Sequence, residues 1–186
     1  MENLTLKQYK LRLLELLKEK AVQKGRIKLS SGKISNFYVD GRLITLTPVG
    51  AWLVANIILR MLKGKKIDAV GGPTLGADPI VGALACMAYL RNIPLKTFIV
   101  RKKKKEHGMR RLVEGPQLKK GSHVVLIDDV ATTGSSLIEA KEILNKMGIK
   151  IEYAIVLVDR QEGAQENLKK AGCKLLPIFK KKDLVP

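Results

Sequence analysis

The residues best suited to chemistry in this chain lie together at Asp128-Asp129-Val130-Ala131-Thr132-Thr133-Gly134-Ser135-Ser136. Two carboxylates follow an apolar run, residues 124–127, and a loop of small hydroxyl residues with one glycine leads into a helical pattern. Backbone N–H groups at a helix start bind phosphate, and Thr and Ser hydroxyls add donors. Gly134 allows the backbone to approach a ligand closely. Adjacent carboxylates accept hydrogen bonds from vicinal hydroxyls. Phosphate plus diol describes a ribose 5-phosphate group. The plainer alternative is an ordinary strand–turn–helix in which a Ser or Thr caps the helix. Neither GxxxxGK[ST] nor GxGxxG occurs, which disfavours nucleoside triphosphate loops and dinucleotide folds.

Three other places carry candidate groups. Residues 101–108 read RKKKKEHG, a run of cations suited to an anion carrying several phosphates. Its alternatives are a nucleic-acid contact or a solvated charged loop. Arg160 follows the apolar run 154–158, and a guanidinium at a strand's carboxyl end suits bidentate capture of a carboxylate. Its alternative is a surface arginine paired with Asp159 or Glu162. Residues 71–80, GGPTLGADPI, suggest a tight turn with exposed N–H groups suited to pyrophosphate. His123 opens a strand and reads as structural.

The elements that must position these groups follow from periodicity. Leu6, Tyr9, Leu13, Leu14, Leu17 and Ala21 recur at steps of three and four, which predicts a helix ending near Gly25. Residues 27–42 read as a turn and then a short strand at Phe37, Tyr38 and Val39. Thr47-Pro48 starts a helix to about Leu62. Strands are expected at 67–70, where Gly71-Gly72-Pro73 breaks the run, and at 95–100, 124–127, 151–158 and 173–179. Helices are expected from Pro79 to about Arg91, over 135–147 with Leu137, Ile138, Ile143, Leu144 and Met147 on or near its inner face, and over 162–171. Residues 101–117 lack an apolar period and read as a long loop. Strands alternating with helices predict an α/β fold around a mainly parallel sheet flanked by helices, with ligands at the carboxyl ends of strands.

The chain has 186 residues, enough for one domain with its own core. Hydrophobic residues make up 46% and aromatics only 4%, so the core must be aliphatic. Cys86 and Cys173 stand in apolar stretches without CxxC spacing, which is no secreted disulfide scaffold. Charges run through the first twenty residues, and the longest uncharged run, 43–59, contains Thr45, Thr47, Pro48 and Asn56. Neither a signal peptide nor a membrane span is expected, and the cytoplasm is the expected compartment. The net charge of +18 (35 Lys and Arg against 17 Asp and Glu) attracts polyanions, which fits nucleic acid, a substrate with several phosphates, or simply a solvated surface. Aromatic residues for stacking are scarce, which argues against nucleic acid.

Residues 124–136, VVLIDDVATTGSS, resemble the phosphoribosyl diphosphate (PRPP) motif of the type I phosphoribosyltransferases. Residues 29–42 (LSSGKISNFYVDGR), 101–108 (RKKKKEHG) and 158–163 (VDRQEG) are similar, in the same order, to segments of the orotate phosphoribosyltransferases. The resemblance spans nearly the whole chain. It implies one phosphoribosyltransferase domain over residues 1–186, with an N-terminal helix and substrate-binding hood over 1–45 and an α/β core over 46–186 carrying a mobile loop at 101–117. It implies transfer of the phosphoribosyl group from PRPP to orotate, giving orotidine 5'-phosphate and pyrophosphate in pyrimidine biosynthesis. Mg2+ would be carried by the diphosphate with no dedicated protein site, because Mg2+ prefers phosphate and water.

By position, the resemblance assigns PRPP contacts to Arg101, Lys102, Lys105, His107 and to Asp128, Asp129, Val130, Ala131, Thr132, Thr133, Gly134, Ser135 and Ser136. Lys105 is the expected catalytic cation; Lys103 and Lys104 match no contacting position. Orotate contacts fall to Thr132 and Arg160, and to Phe37 and Tyr38, whose other reading is core packing. The resemblance also implies a homodimer in which the basic loop reaches the neighbouring subunit's site. Two departures accompany it: Leu75 stands where many relatives carry lysine, and Ser30 where some do, with Lys33 nearby. A phosphoribosyltransferase for a purine base and a nucleic-acid-binding regulator on the same fold are the competing readings.

Overall fold

A computed structural model describes residues 4–28, 34–101 and 112–185. The first helix, α1 (Leu6–Lys20), opens with a capping box in which the Gln8 N–H donates to Thr5 Oγ1 and the Thr5 N–H donates to Gln8 Oε1. It ends five residues before Gly25, because β1 (Val22–Lys28) begins there and pairs antiparallel with β2 (Ile34–Val39). β1 had no legible pattern of its own; the β2 partner supplies its hydrogen bonds. A short helix, α2 (Arg42–Thr45), leads to α3 (Pro48–Leu62), capped by Thr47 with Pro48 in its first turn as expected.

The central sheet has six strands in the order β5-β4-β3-β6-β7-β8. They are β3 (Ala69–Pro73), β4 (Lys96–Val100), β5 (Val113–Glu114), β6 (His123–Ala131), β7 (Lys150–Asp159) and β8 (Leu175–Lys180). All neighbours run parallel except β4 and β5. Helices α4 (Asp78–Leu90), α5 (Ser135–Lys146) and α6 (Ala164–Lys170) connect them, and α7 (Lys181–Leu184) follows β8.

Alternation through the middle of β6 shows why both faces are covered. On β6, Val125 and Ile127 join one apolar cluster with Leu53, Ile57, Ile80 and Leu84 of α3 and α4. Val124 and Leu126 join the other with Leu137, Ala140, Leu144 and Leu168 of α5 and α6. Continuous apolar runs such as residues 124–127 therefore face helices on both sides.

Four expectations need correction. Gly71-Gly72-Pro73 does not break β3; it is the strand's end, packed so closely that a β-carbon on Gly71 would lie 2.1 Å from the Phe98 carbonyl and one on Gly72 1.8 Å from the Ile127 carbonyl. The strand before the phosphate-type loop does not stop at Ile127 but carries Asp128 to Ala131 within it. The expected loop 101–117 contains β5, which pairs with β4. Met147 does not face inward: it lies just past α5 and is 45% exposed, whereas Leu137 and Leu144 are buried.

Candidate active site

The strand order reverses between β3 and β6, since the chain moves outward from β3 to β4 and, in the other direction, from β6 to β7 and β8. At such a switch point the loops after the two central strands diverge and leave a crevice at their carboxyl ends. Both loops singled out in the sequence, after β3 and after β6, open there. His123 lies at the opposite, amino end of β6, where its Nδ1 is 2.6 Å from Glu152 Oε1 and its N–H donates to Asp68. That is the structural role expected of it.

Residues 132–134 join β6 to α5, and the turn is built so that the helix start stays open. Gly134 takes the left-handed conformation (φ 80°) and stands at the cap position, where no side chain caps α5. The alternative of a Ser or Thr cap is therefore not what forms. The first N–H groups of α5 are left for another acceptor, and their partial positive charge favours an anion. Asn167 of α6 donates to the Thr133 carbonyl (3.0 Å) and anchors the loop from behind. Asp128, Val130, Ala131, Thr132, Thr133, Gly134, Ser135 and Ser136 together line a small hollow of about 110 Å³.

The two carboxylates turn back onto their own backbone. The Asp129 N–H donates to Asp128 Oδ1 (2.9 Å) and the Val130 N–H to Asp129 Oδ1 (2.7 Å). Gly76, from the loop after β3, lies against both: a β-carbon there would be 2.3 Å from Oδ1 of each. Leu75 beside it is 59% exposed and presents no charge. Thr74 Oγ1 donates to Asp78 Oδ2 (2.7 Å), holding this loop to the start of α4.

Sequence reasoning missed a third contributor, Asp40-Gly41-Arg42. Arg42 holds Asp40 through two side-chain bonds, Nε to Oδ1 (2.9 Å) and Nη2 to Oδ2 (3.0 Å). Those bonds keep the Asp40 carboxyl below its ordinary pKa, and they raise that of Arg42. Gly41 between them backs onto Asp129, with a β-carbon position 2.9 Å from Asp129 Cβ. Burial raises the Asp129 carboxyl above its ordinary value, and the Val130 N–H and the Arg42 charge pull it part of the way back. The one signal available in the sequence was the oppositely charged pair flanking a glycine in a segment already singled out.

Arg160, at the carboxyl end of β7, is not a surface residue; it is 4% exposed. Its Nη2 lies 2.8 Å from Glu162 Oε1 and donates to the Phe37 carbonyl (3.3 Å). Phe37 is itself buried in the core while Tyr38 is half-buried, so the core-packing reading holds for Phe37, and its backbone meets Arg160 as well. Thr132 is half-buried one strand away, since Ala131 pairs with Asp159. Arg101 follows β4, its Nη1 3.9 Å from Glu114 Oε1. Lys102, Lys105 and His107 lie outside the described residues, as do Ser30 and Lys33. Cys86 and Cys173 are free thiols, and burial raises the pKa of Cys173.

A mainly parallel sheet with an uncapped helix start behind an aspartate pair, at the switch point, defines a phosphate-binding α/β class of protein. The family model described as "Phosphoribosyl transferase domain" matches residues 49–179. The chain is similar to an orotate phosphoribosyltransferase of Aquifex aeolicus, 40% identical over 174 residues that cover 94% of each chain. It is similar in structure to the Mycobacterium tuberculosis orotate phosphoribosyltransferase in its complex with Fe(III) dicitrate (TM-score 0.82, 32% identity, 96% of this chain and 99% of that one). The same mycobacterial protein in complex with PRPP gives a TM-score of 0.78 at 30% identity, over 95% of this chain and 98% of that one. The chain belongs to the orotate phosphoribosyltransferase family.

Proposed function

We propose that this chain transfers the phosphoribosyl group from PRPP to orotate, releasing pyrophosphate and forming orotidine 5'-phosphate. The observation that carries this reading is the uncapped start of α5 directly behind Asp128 and Asp129. Relatives named orotate phosphoribosyltransferase, one of them solved with PRPP, support it. The reaction is that of a pentosyltransferase, EC 2.4.2.10.

In this reading the residues from Val130 to Ser136 receive the 5-phosphate. Asp128 and Asp129 accept hydrogen bonds from the ribose hydroxyls, and Gly76 lets the pyrophosphate loop close onto them. Arg101, Lys102, Lys105 and His107 receive the diphosphate. Lys105 stabilises the charge that grows on it as the bond to ribose C1 breaks. Thr132 and Arg160 take the orotate, with Phe37 and Tyr38 beside it. Asp128 and Asp129 offer hard carboxylate oxygens in one place. They suit Mg2+ brought in on the substrate's diphosphate with its water, where it would neutralise the leaving group.

We further propose that the chain works as one domain over residues 1–186, with 1–45 as the hood, 46–186 as the core and 101–117 as a closing loop. It would act in the cytoplasm, where its phosphorylated substrates are held, and as a homodimer sharing its sites. No helix among the described residues is long and apolar enough to cross a membrane.

Loss of orotate's ultraviolet absorbance on mixing with PRPP and Mg2+ tests the reaction, with a panel of purine bases to decide against that class. No base-dependent PRPP consumption, together with steeply salt-dependent RNA or DNA binding, would favour the regulator instead.

A further inference from the structure

The residues at the ends of three neighbouring strands line up across the carboxyl edge of the sheet. Ala131 pairs with Asp159, and Asp159 pairs with Lys180. Thr132, Arg160 and Lys181 are therefore the first residues beyond β6, β7 and β8, side by side. The first two are the residues assigned above to orotate; nothing has assigned the third.

Lys181 is half-buried, and its Nζ stands over the Phe37 ring, 5.4 Å from the centroid. Phe37 is the residue whose carbonyl accepts from Arg160. The Lys182 N–H donates to Gln161 Oε1 (3.3 Å), which ties the start of α7 to the residue after Arg160. Among the described residues no carboxylate lies within ion-pair distance of Lys181, and the nearby Asp183 accepts instead from the Lys180 N–H.

Charge makes this cation consequential. Arg160 is buried against Glu162, so the pair is close to neutral as a unit. A carboxylate entering beside a neutral, half-desolvated pair loses its hydration without gaining a net opposite charge. One additional ammonium, held in place by a ring and not consumed by an acid, restores the favourable balance.

We propose that Lys181 is a specificity-determining residue that supplies the net positive charge of the orotate carboxylate subsite, next to Arg160. This rests on the assignment of Arg160 to orotate.

The test is steady-state kinetics of the full-length chain with orotate and PRPP varied separately, for Lys181→Met, Lys181→Arg and Arg160→Gln. Met keeps the aliphatic stem over Phe37 and removes only the charge. Lys181→Met is expected to raise KM for orotate about tenfold, with KM for PRPP and kcat within about twofold, and Lys181→Arg to restore most of the loss. An orotate KM within about twofold of the parent, an equal rise in both KM values, or an Arg variant as defective as the Met variant overturns the proposal. If Arg160→Gln raises the orotate KM and Lys181→Met does not, only the role of Lys181 falls. If neither changes it, the assignment of Arg160 falls with it.

Discussion

Gly76 and Asp128 sit so close that a β-carbon on the glycine would lie 2.3 Å from the carboxylate's Oδ1. The same position is equally near Asp129, so one backbone segment after β3 and the aspartate pair on β6 are fitted to each other. Gly76→Ala must push the carboxylates or the loop aside. Because a displacement of about 1 Å at a reacting centre costs on the order of 100-fold, kcat/KM for PRPP should fall by about that factor. The thermal midpoint should fall less than activity does, by the loss of the Asp129 and Val130 N–H bonds to the displaced Oδ1 atoms. Retained activity would show that the loop and the pair do not act on one substrate.

Gly134→Ala addresses the turn into α5. The residue has φ 80°, and its β-carbon position is 3.2 Å from Leu168 Cδ1. The left-handed conformation costs an L-residue about 1–2 kcal/mol, so urea unfolding should show a loss of that order. PRPP binding, read by calorimetry, should weaken as the helix start tilts.

Asp129 links the site to stability. Burial raises its carboxyl pKa in the folded state, so the fold binds that proton more tightly than the unfolded chain does. The resulting stability is present below the unfolded pKa and is lost as pH rises through the raised folded pKa. Asp129→Asn cannot lose it. The variant should match the parent in stability in acid and become the more stable of the two towards neutral pH, while losing activity. Denaturation midpoints across pH 3–8 check the crossover (roughly the span of carboxyl titration).

Arg160→Ala leaves Glu162 without the guanidinium 2.8 Å away and removes the Arg160 bond to the Phe37 carbonyl. Breaking a buried pair costs about 3–5 kcal/mol, and Glu162 is partly exposed, so about 2 kcal/mol is the expected loss of stability. Activity of the folded fraction should show a raised orotate KM with a PRPP KM near the parent's.

Lys105→Ala should lower turnover by about 100-fold or more while weakening orotate binding far less, as expected of a cation that meets only the developing leaving-group charge. Unchanged turnover removes the role assigned to it. Mixed Lys105→Ala and Arg160→Ala subunits should recover activity if the loop of one copy serves the site of another.

Local sequence carried most of the sheet and its helices. Runs such as residues 124–127 announce buried strands, Thr47-Pro48 announces α3, and the steps of three and four through Leu13 and Leu17 announce α1. β1 was not legible, because a polar, glycine-containing strand is stable only through its pairing with β2. The end of β3 was misread because Gly71 and Gly72 look like a turn, whereas their small size is required by the Phe98 and Ile127 backbones alongside.

For the site, residue type and order alone determined that an aspartate pair precedes a small hydroxyl-rich loop suited to phosphate, and that a cationic run and Arg160 stand elsewhere in the chain. Those are properties of contiguous segments, and a segment's chemistry travels with its residues. Tertiary structure alone decided what lies beside them: that Gly41 and Gly76 close on the aspartates, that Arg160 is buried against Glu162, and that Lys181 stands next in line just beyond the neighbouring strand. Such proximities join positions as distant in the chain as Phe37 and Lys181, and only the pairing of strands and the packing of helices brings them together.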